Sequence, residues 1–152
     1  MPKVGVVIGS KSDMEVIQPA VDALEQMQID YELNVISAHR TPEKARKYCL
    51  EARSRGIEVI IAAAGMAAHL PGVLASWTTL PVIGVPLASS ELKGLDALYA
   101  IVQMPAGIPV ATVAVGAAGV RNSAYLAAEI LGLKYPEIQQ AYDDYRSELQ
   151  GG

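Results

Sequence analysis

Short apolar runs alternate with amphipathic stretches along this chain. Val4 to Ile8 ("VGVVI") is a continuous, largely β-branched run closed by Gly9, the pattern of a strand buried on both faces. From about Asp13 to Gln28, the residues Met14, Ile17, Val21, Leu24 and Met27 recur at intervals of three and four, which predicts a helix with one apolar face. "YELNVI" (Tyr31 to Ile36) predicts a second strand. Thr41, Pro42 and Glu43 open a second helix, with Thr41 as its cap and Pro42 at the first helical position. It runs to about Arg55, where Gly56 stops it. A third strand (Glu58 to Ala64), an alanine-rich helix from about Ala68 to Trp77 and a short fourth strand, "PVIGV", follow. Then come a helix over Leu95 to Gln103, a fifth strand over Val110 to Val115 and a helix over Asn122 to Leu131. The last segment, Pro136 to Leu149, is amphipathic, and its Ile138, Tyr142, Tyr145 and Leu149 need a surface to cover.

Strands that alternate with helices imply parallel βαβ units. The expected fold is a three-layer α/β/α sandwich with a five-stranded parallel sheet in flavodoxin-like order and an extra C-terminal helix. No internal repeat and no linker divides the chain, so residues 1–152 are expected to form one domain. In such sheets ligands bind beyond the carboxyl ends of the strands. The first three exits read "GSKSD", "SAHRTP" and "AGMAAHLPG", and both histidines of the chain lie in them.

Composition narrows the classes. Hydrophobic residues make up 51% of the chain, aromatics 5%, and phenylalanine is absent. The core must therefore be built from Val, Ile, Leu and Ala. The net charge of -4, with basic residues scattered, disfavours a nucleic-acid partner. The apolar runs are interrupted too often for a membrane span. No signal-peptide pattern precedes the first strand, so the expected location is cytoplasmic. The single cysteine, Cys49, excludes an intrachain disulfide and reads as a buried thiol on a helix face.

Each exit carries candidate chemistry. "GSKSD" (Gly9 to Asp13) opens a helix, where free backbone N–H groups attract anions, Ser10 and Ser12 add hydroxyls, and a phosphate would fit. Asp13 suits sugar hydroxyls better than a phosphate. Ser12 or Asp13 acting simply as helix cap is the competing reading. The loop is neither a Walker loop nor a dinucleotide fingerprint. In "SAHRTP", Arg40 offers a planar fork for phosphate or carboxylate, and His39 can both give and take a proton near neutrality. In "AGMAAHLPG", His69 stands either as a core histidine or in a close-packed wall against a flat ligand. The two histidines are thirty residues apart with no carboxylate set at ligand spacing, so no metal site is expected. A Ser37–His39–Asp13 triad can be drawn on paper, but no nucleophile-elbow motif supports it.

Taken in order, "GSKSD", "SAHRTP", "AAHLPG", "GVP", "GLDALYAIVQMP", "GIPVATVAVG" and "LAAEIL" span nearly the whole chain. The sequence resembles the N5-carboxyaminoimidazole ribonucleotide mutases of purine synthesis, the PurE family. "AAHLPG" points to the mutase class rather than to the class that carboxylates aminoimidazole ribonucleotide directly with CO2. The resemblance implies a homo-octamer whose C-terminal helix packs on a neighbouring subunit, a ribonucleotide substrate, and no cofactor. It assigns Ser10, Asp13 and Arg40 to the nucleotide and Ser12 to the phosphate loop. Ser37, Ala38, Gly65, Ala67 and Leu70 would line the base and carboxylate pocket, with His39 as catalytic acid–base and His69 nearby. Two positions depart from the family pattern: Met66 replaces a usual glycine, and Ala117 a common lysine.

Other classes remain to be set against this one. A receiver-type module needs an acidic cluster after the first strand and an aspartate after the third, where this chain has Ala-Ala-Ala-Gly. A flavin or nucleotide carrier would want stacking aromatics in the exit loops, which are missing. The direct carboxylase has the same fold with different chemistry.

Overall fold

The computed structural model describes residues 3–151. Met1, Pro2 and Gly152, which the expected domain span includes, lie outside the described residues. The elements run β1 (Val4–Ile8), α1 (Met14–Gln26), β2 (Tyr31–Val35), α2 (Pro42–Ala52), β3 (Val59–Gly65), α3 (Leu70–Trp77), β4 (Val82–Leu87), α4 (Leu95–Val102), β5 (Ala111–Thr112), α5 (Ala117–Gly132) and α6 (Pro136–Gly151). All sheet pairings are parallel, in the order β2-β1-β3-β4-β5. That is the flavodoxin-like order, with its switch point between β1 and β3.

Alternation along the strands builds two cores, because successive side chains point to opposite faces. Val4, Val6, Ile8, Val59, Ile61, Ala63, Ile83 and Val85 pack with α1, α5 and α6. Val7, Ile60, Ala62 and Val82 pack with α2, α3 and α4. Both faces are thus covered, which explains the unbroken apolar runs of β1, β3 and β4. The small residues of β3 (Ala62, Ala63 and Ala64) let helices approach closely. Burial of each large aliphatic chain such as Ile8, Ile61 or Ile83, all fully inaccessible, contributes about 1.5–3 kcal/mol.

Several expected boundaries shift. Lys11–Asp13 form a single 3-10 turn, and α1 begins only at Met14. Neither expected cap works through its side chain: Asp13 makes no such bond, and Ser12 donates its N–H to the Ser10 oxygen, so Ser10 is the capping residue. Thr41 also makes no side-chain cap; its hydroxyl donates back to the Ser37 carbonyl. Ala68 and His69 belong to the turn before α3 rather than to the helix. Gly56 does end the second helical segment, in left-handed backbone at φ 85° after a 3-10 turn. The fifth strand pairs over two residues only, and α5 starts five residues before Asn122. Cys49 is buried as expected, and burial pushes its thiol up to about 12.

The last helix finds much of its partner surface within the chain. Ile138 is fully buried, and Tyr142 and Tyr145 pack against the α1/α5 core. Tyr125 of α5 stacks on Tyr145 at 4.4 Å between ring centroids, and Tyr142 donates to Glu129 at 2.9 Å. Three of the four residues expected to seek an outside surface are therefore met within the chain, and Leu149 remains exposed. No helix among the described residues is long and apolar enough to cross a membrane.

Candidate active site

Register places the exits side by side. Ile8 pairs with Val35 and with Ala63, and Gly65 pairs with Leu87, so four strands end along one edge of the sheet. A cleft of about 470 Å³ opens there, a size suited to a small organic ligand. Every residue singled out from the sequence lines it: Ser10, Ser12, Asp13, Ser37, Ala38, His39, Arg40, Gly65, Ala67, His69 and Leu70.

The first loop is shaped by its own hydroxyls. Ser10 Oγ and Ser12 Oγ lie 2.9 Å apart, and the Asp13 N–H donates to the Ser10 carbonyl at 3.0 Å. These bonds turn the chain sharply from β1 into α1 and hold the Asp13 side chain inward. Asp13 is one of the few buried polar residues, 8% exposed. Burial raises its carboxyl above the ordinary value of 3.8, opposed by a backbone hydrogen bond from Ser10.

The second loop is a turn organised by Ser37. Its carbonyl accepts from the Thr41 N–H and from the Thr41 hydroxyl, both at 2.9 Å. Its hydroxyl accepts from the Arg40 N–H at 3.1 Å. With both of its oxygens engaged, Ser37 clamps the four residues that follow, and His39 and Arg40 project from the clamp into the open cleft. The arrangement is not a triad, because Ser37 is committed to backbone and His39 points elsewhere.

His39 meets His69. His39 Nε2 lies 2.6 Å from His69 Nδ1, with the rings edge-on at 83°. The thirty residues that separate the two histidines in sequence thus vanish across the β2 and β3 exits. His69 is an exposed cleft residue rather than a core histidine. Among the described residues no group of three or more His, Cys, Asp or Glu is placed to hold a metal ion.

The third wall is made of Ala64, Gly65, Met66 and Ala67. A Cβ on Gly65 would overlap Ser89 Oγ, so this glycine lets the exit of β4 close against that of β3. Ser89 then joins the cleft, a residue that sequence reasoning missed. Its signal was available: "PLASS" is the exit of the fourth strand, and the exits of the first three had already supplied the site. Met66, at φ 55°, is a non-glycine residue in left-handed backbone, and its side chain is 61% exposed at the cleft.

Fold and cleft together define a flavodoxin-like α/β protein whose candidate site lies at the carboxyl ends of β1 to β4, with a serine-bearing turn, an arginine and a histidine pair facing the Ala64–Ala67 wall. The sequence model of AIR carboxylase matches residues 3–151, and the chain belongs to that family. It is 58% identical to a protein of Pyrococcus abyssi over 150 residues, covering 99% of this chain and 85% of that one. A Thermotoga maritima protein is 55% identical, covering 99% and 86%. Both relatives are named N5-carboxyaminoimidazole ribonucleotide mutase. The crystal structure of Treponema denticola PurE superposes with a TM-score of 0.90 at 28% identity, covering 99% of this chain and 93% of that one.

Proposed function

We propose that the chain is a mutase that converts N5-carboxyaminoimidazole ribonucleotide to 4-carboxy-5-aminoimidazole ribonucleotide in purine synthesis, in keeping with the names of its relatives. The observation that carries this reading is His39, held by the Ser37 clamp at the cleft formed by the first four strand exits. The substrate bears a carbamate on its exocyclic amine. Protonation of that nitrogen releases CO2 and leaves an enamine-like ring. Its C4 then attacks CO2, and the C4 proton must be removed. One imidazole gives the first proton and takes the second, so the enzyme ends as it began. The step uses neither ATP nor biotin.

The other residues have parts to match. The two serine hydroxyls of the Ser10–Asp13 turn, at the N-terminal end of α1, suit the phosphate. The inward Asp13 carboxylate suits ribose hydroxyls, and Arg40 adds a charge-assisted contact to the nucleotide. Ser37, Ala38, Gly65, Ala67 and Leu70 would face the base and its carboxylate, and the small-residue wall would hold CO2 between the two steps. By the same resemblance the working form is a cytoplasmic homo-octamer. The second reading is direct carboxylation of aminoimidazole ribonucleotide, the activity after which the family is named.

One experiment separates the two. The substrate is labelled at the carbamate carbon and supplied in unlabelled bicarbonate without ATP. Most of the label should appear in the first product. Product with the isotopic composition of the bath, at low conversion, sinks the mutase reading. In parallel, His39→Asn should bind the ribonucleotide and lose turnover by on the order of 10²-fold or more. Near-normal turnover by that variant removes His39 from the role.

A further inference from the structure

The 2.6 Å contact between His39 Nε2 and His69 Nδ1 constrains protons as well as rings. A hydrogen bond needs one donor and one acceptor, so a single proton bridges the two nitrogens. Two imidazolium rings would aim two N–H groups at each other at that distance, so the pair accepts only one positive charge. The other charged groups that line the cleft are Asp13 and Arg40, and neither is hydrogen-bonded to either ring.

We infer that His69 is a positioning residue that holds the bridging proton on His39 Nε2 and thereby makes His39 Nδ1 the nitrogen that exchanges protons with the substrate. The inference rests on the proposed role of His39. To act as acid, His39 must carry protons on both nitrogens, so its Nε2–H must donate and His69 Nδ1 must accept. When His39 gives its Nδ1 proton to the carbamate nitrogen, it keeps the bridging proton and a lone pair appears at Nδ1. That lone pair is what takes the C4 proton. The contact with His69 is the same before and after, so the ring needs neither to flip nor to change tautomer within a turnover. His69 in turn must carry its own proton on Nε2. His69 is well placed for this service: it stands at the turn before α3, outside the helix, with its backbone N–H donated to the Ala67 carbonyl at 2.6 Å and its carbonyl accepting from Val73 at 2.9 Å.

The test uses the full chain and two variants. In His69→Asn the amide oxygen occupies the position of Nδ1 and can still accept the bond. His69→Leu keeps bulk and loses the acceptor. His69→Leu is expected to lower kcat by on the order of 10²-fold with KM nearly unchanged and with an altered pH profile, whereas His69→Asn should recover most of the loss. The chain has only two histidines, so nitrogen-15 labelling of histidine reports the rings directly, and the single ring left in His69→Leu assigns the spectrum. In wild-type protein in alkaline buffer, His39 should carry its proton on Nε2. A wild-type spectrum with that proton on Nδ1 overturns the inference whatever the activity. So does a His69→Leu variant, folded by circular dichroism, with unchanged kcat and pH profile. A His69→Asn variant as slow as His69→Leu would make His69 a proton carrier in its own right and also overturns it. Should wild-type protein fail to turn over the carbamate at all, the proposed function falls, while the spectrum still decides the proton's place.

Discussion

At the scale of single residues, two groups in the cleft should separate binding from stability. Arg40 is exposed, and no carboxylate pairs with it among the described residues, so the fold gains little from its charge. A charge-assisted contact to a ligand is worth roughly 1.5–3 kcal/mol, so Arg40→Ala should weaken ribonucleotide binding by about tenfold to a hundredfold. Its melting temperature should stay at the wild-type value. Calorimetric titration beside a thermal melt reads both, and unchanged affinity would remove Arg40 from the ligand. Asp13 is the opposite case. Its carboxyl is raised by burial, so the folded chain holds that proton more tightly than the unfolded one. The linked stability is therefore full below the ordinary value of 3.8 and falls as pH rises through the higher folded value. Asp13→Asn, which keeps the shape without the charge, should melt higher than wild type near neutral pH, with the gap closing below 3.8. Melts across a pH series check it, and a variant less stable at neutral pH would show that the carboxylate is stabilised by its surroundings. A residue that burdens the fold while facing the cleft fits a ligand role.

At the scale of elements, α5 is held by one glycine. Gly119 is buried in its first turns, and a Cβ there would overlap the carbonyl oxygen of Ala114. Backbone cannot yield as a side chain end can. Gly119→Ala should therefore destabilise by about 1–3 kcal/mol or more, although alanine is the better helix former. A urea midpoint no lower than wild type would mean that α5 can slide. The same contact explains a boundary that is hard to read from sequence. "VATVAVGAAGVRN" carries a strand pattern, then two glycines and a good capping asparagine, so the pattern extends the strand to Val115 and delays the helix to Asn122. In the fold, the close approach of Gly119 to Ala114 brings α5 in at Ala117. The strand pairs only over Ala111–Thr112, at a sheet edge with β4 as its single neighbour. By contrast, β1, flanked on both sides, matches its sequence bounds, because the β-branched run and Gly9 mark both ends. The candidate cleft was legible for a related reason: strand exits in a parallel sheet share one edge, so three exits named its lining residues from Ser10 to Leu70. What the sequence could not give was side-chain distance, which is why the histidine pair and Ser89 had to come from the structure.

At the scale of the whole molecule, α4 is the element out of place in a monomer. Its inner face, Ala97 and Ile101, is fully buried against the sheet. Its outer face carries Leu95, Tyr99 and Val102 at intervals of four and three, exposed by 49%, 60% and 44%. Leu92, just before it, is 63% exposed. A helix that is apolar on its outer face as well as its inner one is suited to an interior, and exposed apolar residues grouped in this way mark an interaction surface. The proposed octamer offers that interior, with a second copy of the chain as the cover. A charge at its centre would have to be desolvated without a partner, which is costly. Tyr99→Glu is therefore expected to reduce the assembly to smaller species while each subunit stays folded, since the Tyr99 side chain belongs to neither core. Light scattering behind size exclusion reads the mass: about eight times 16.1 kDa for wild-type protein, and a small fraction of that for the variant. Circular dichroism on the same peak checks the fold. An octamer that survives the Tyr99→Glu substitution intact would move the interface away from α4, and a wild-type mass of one subunit would end the octamer proposal.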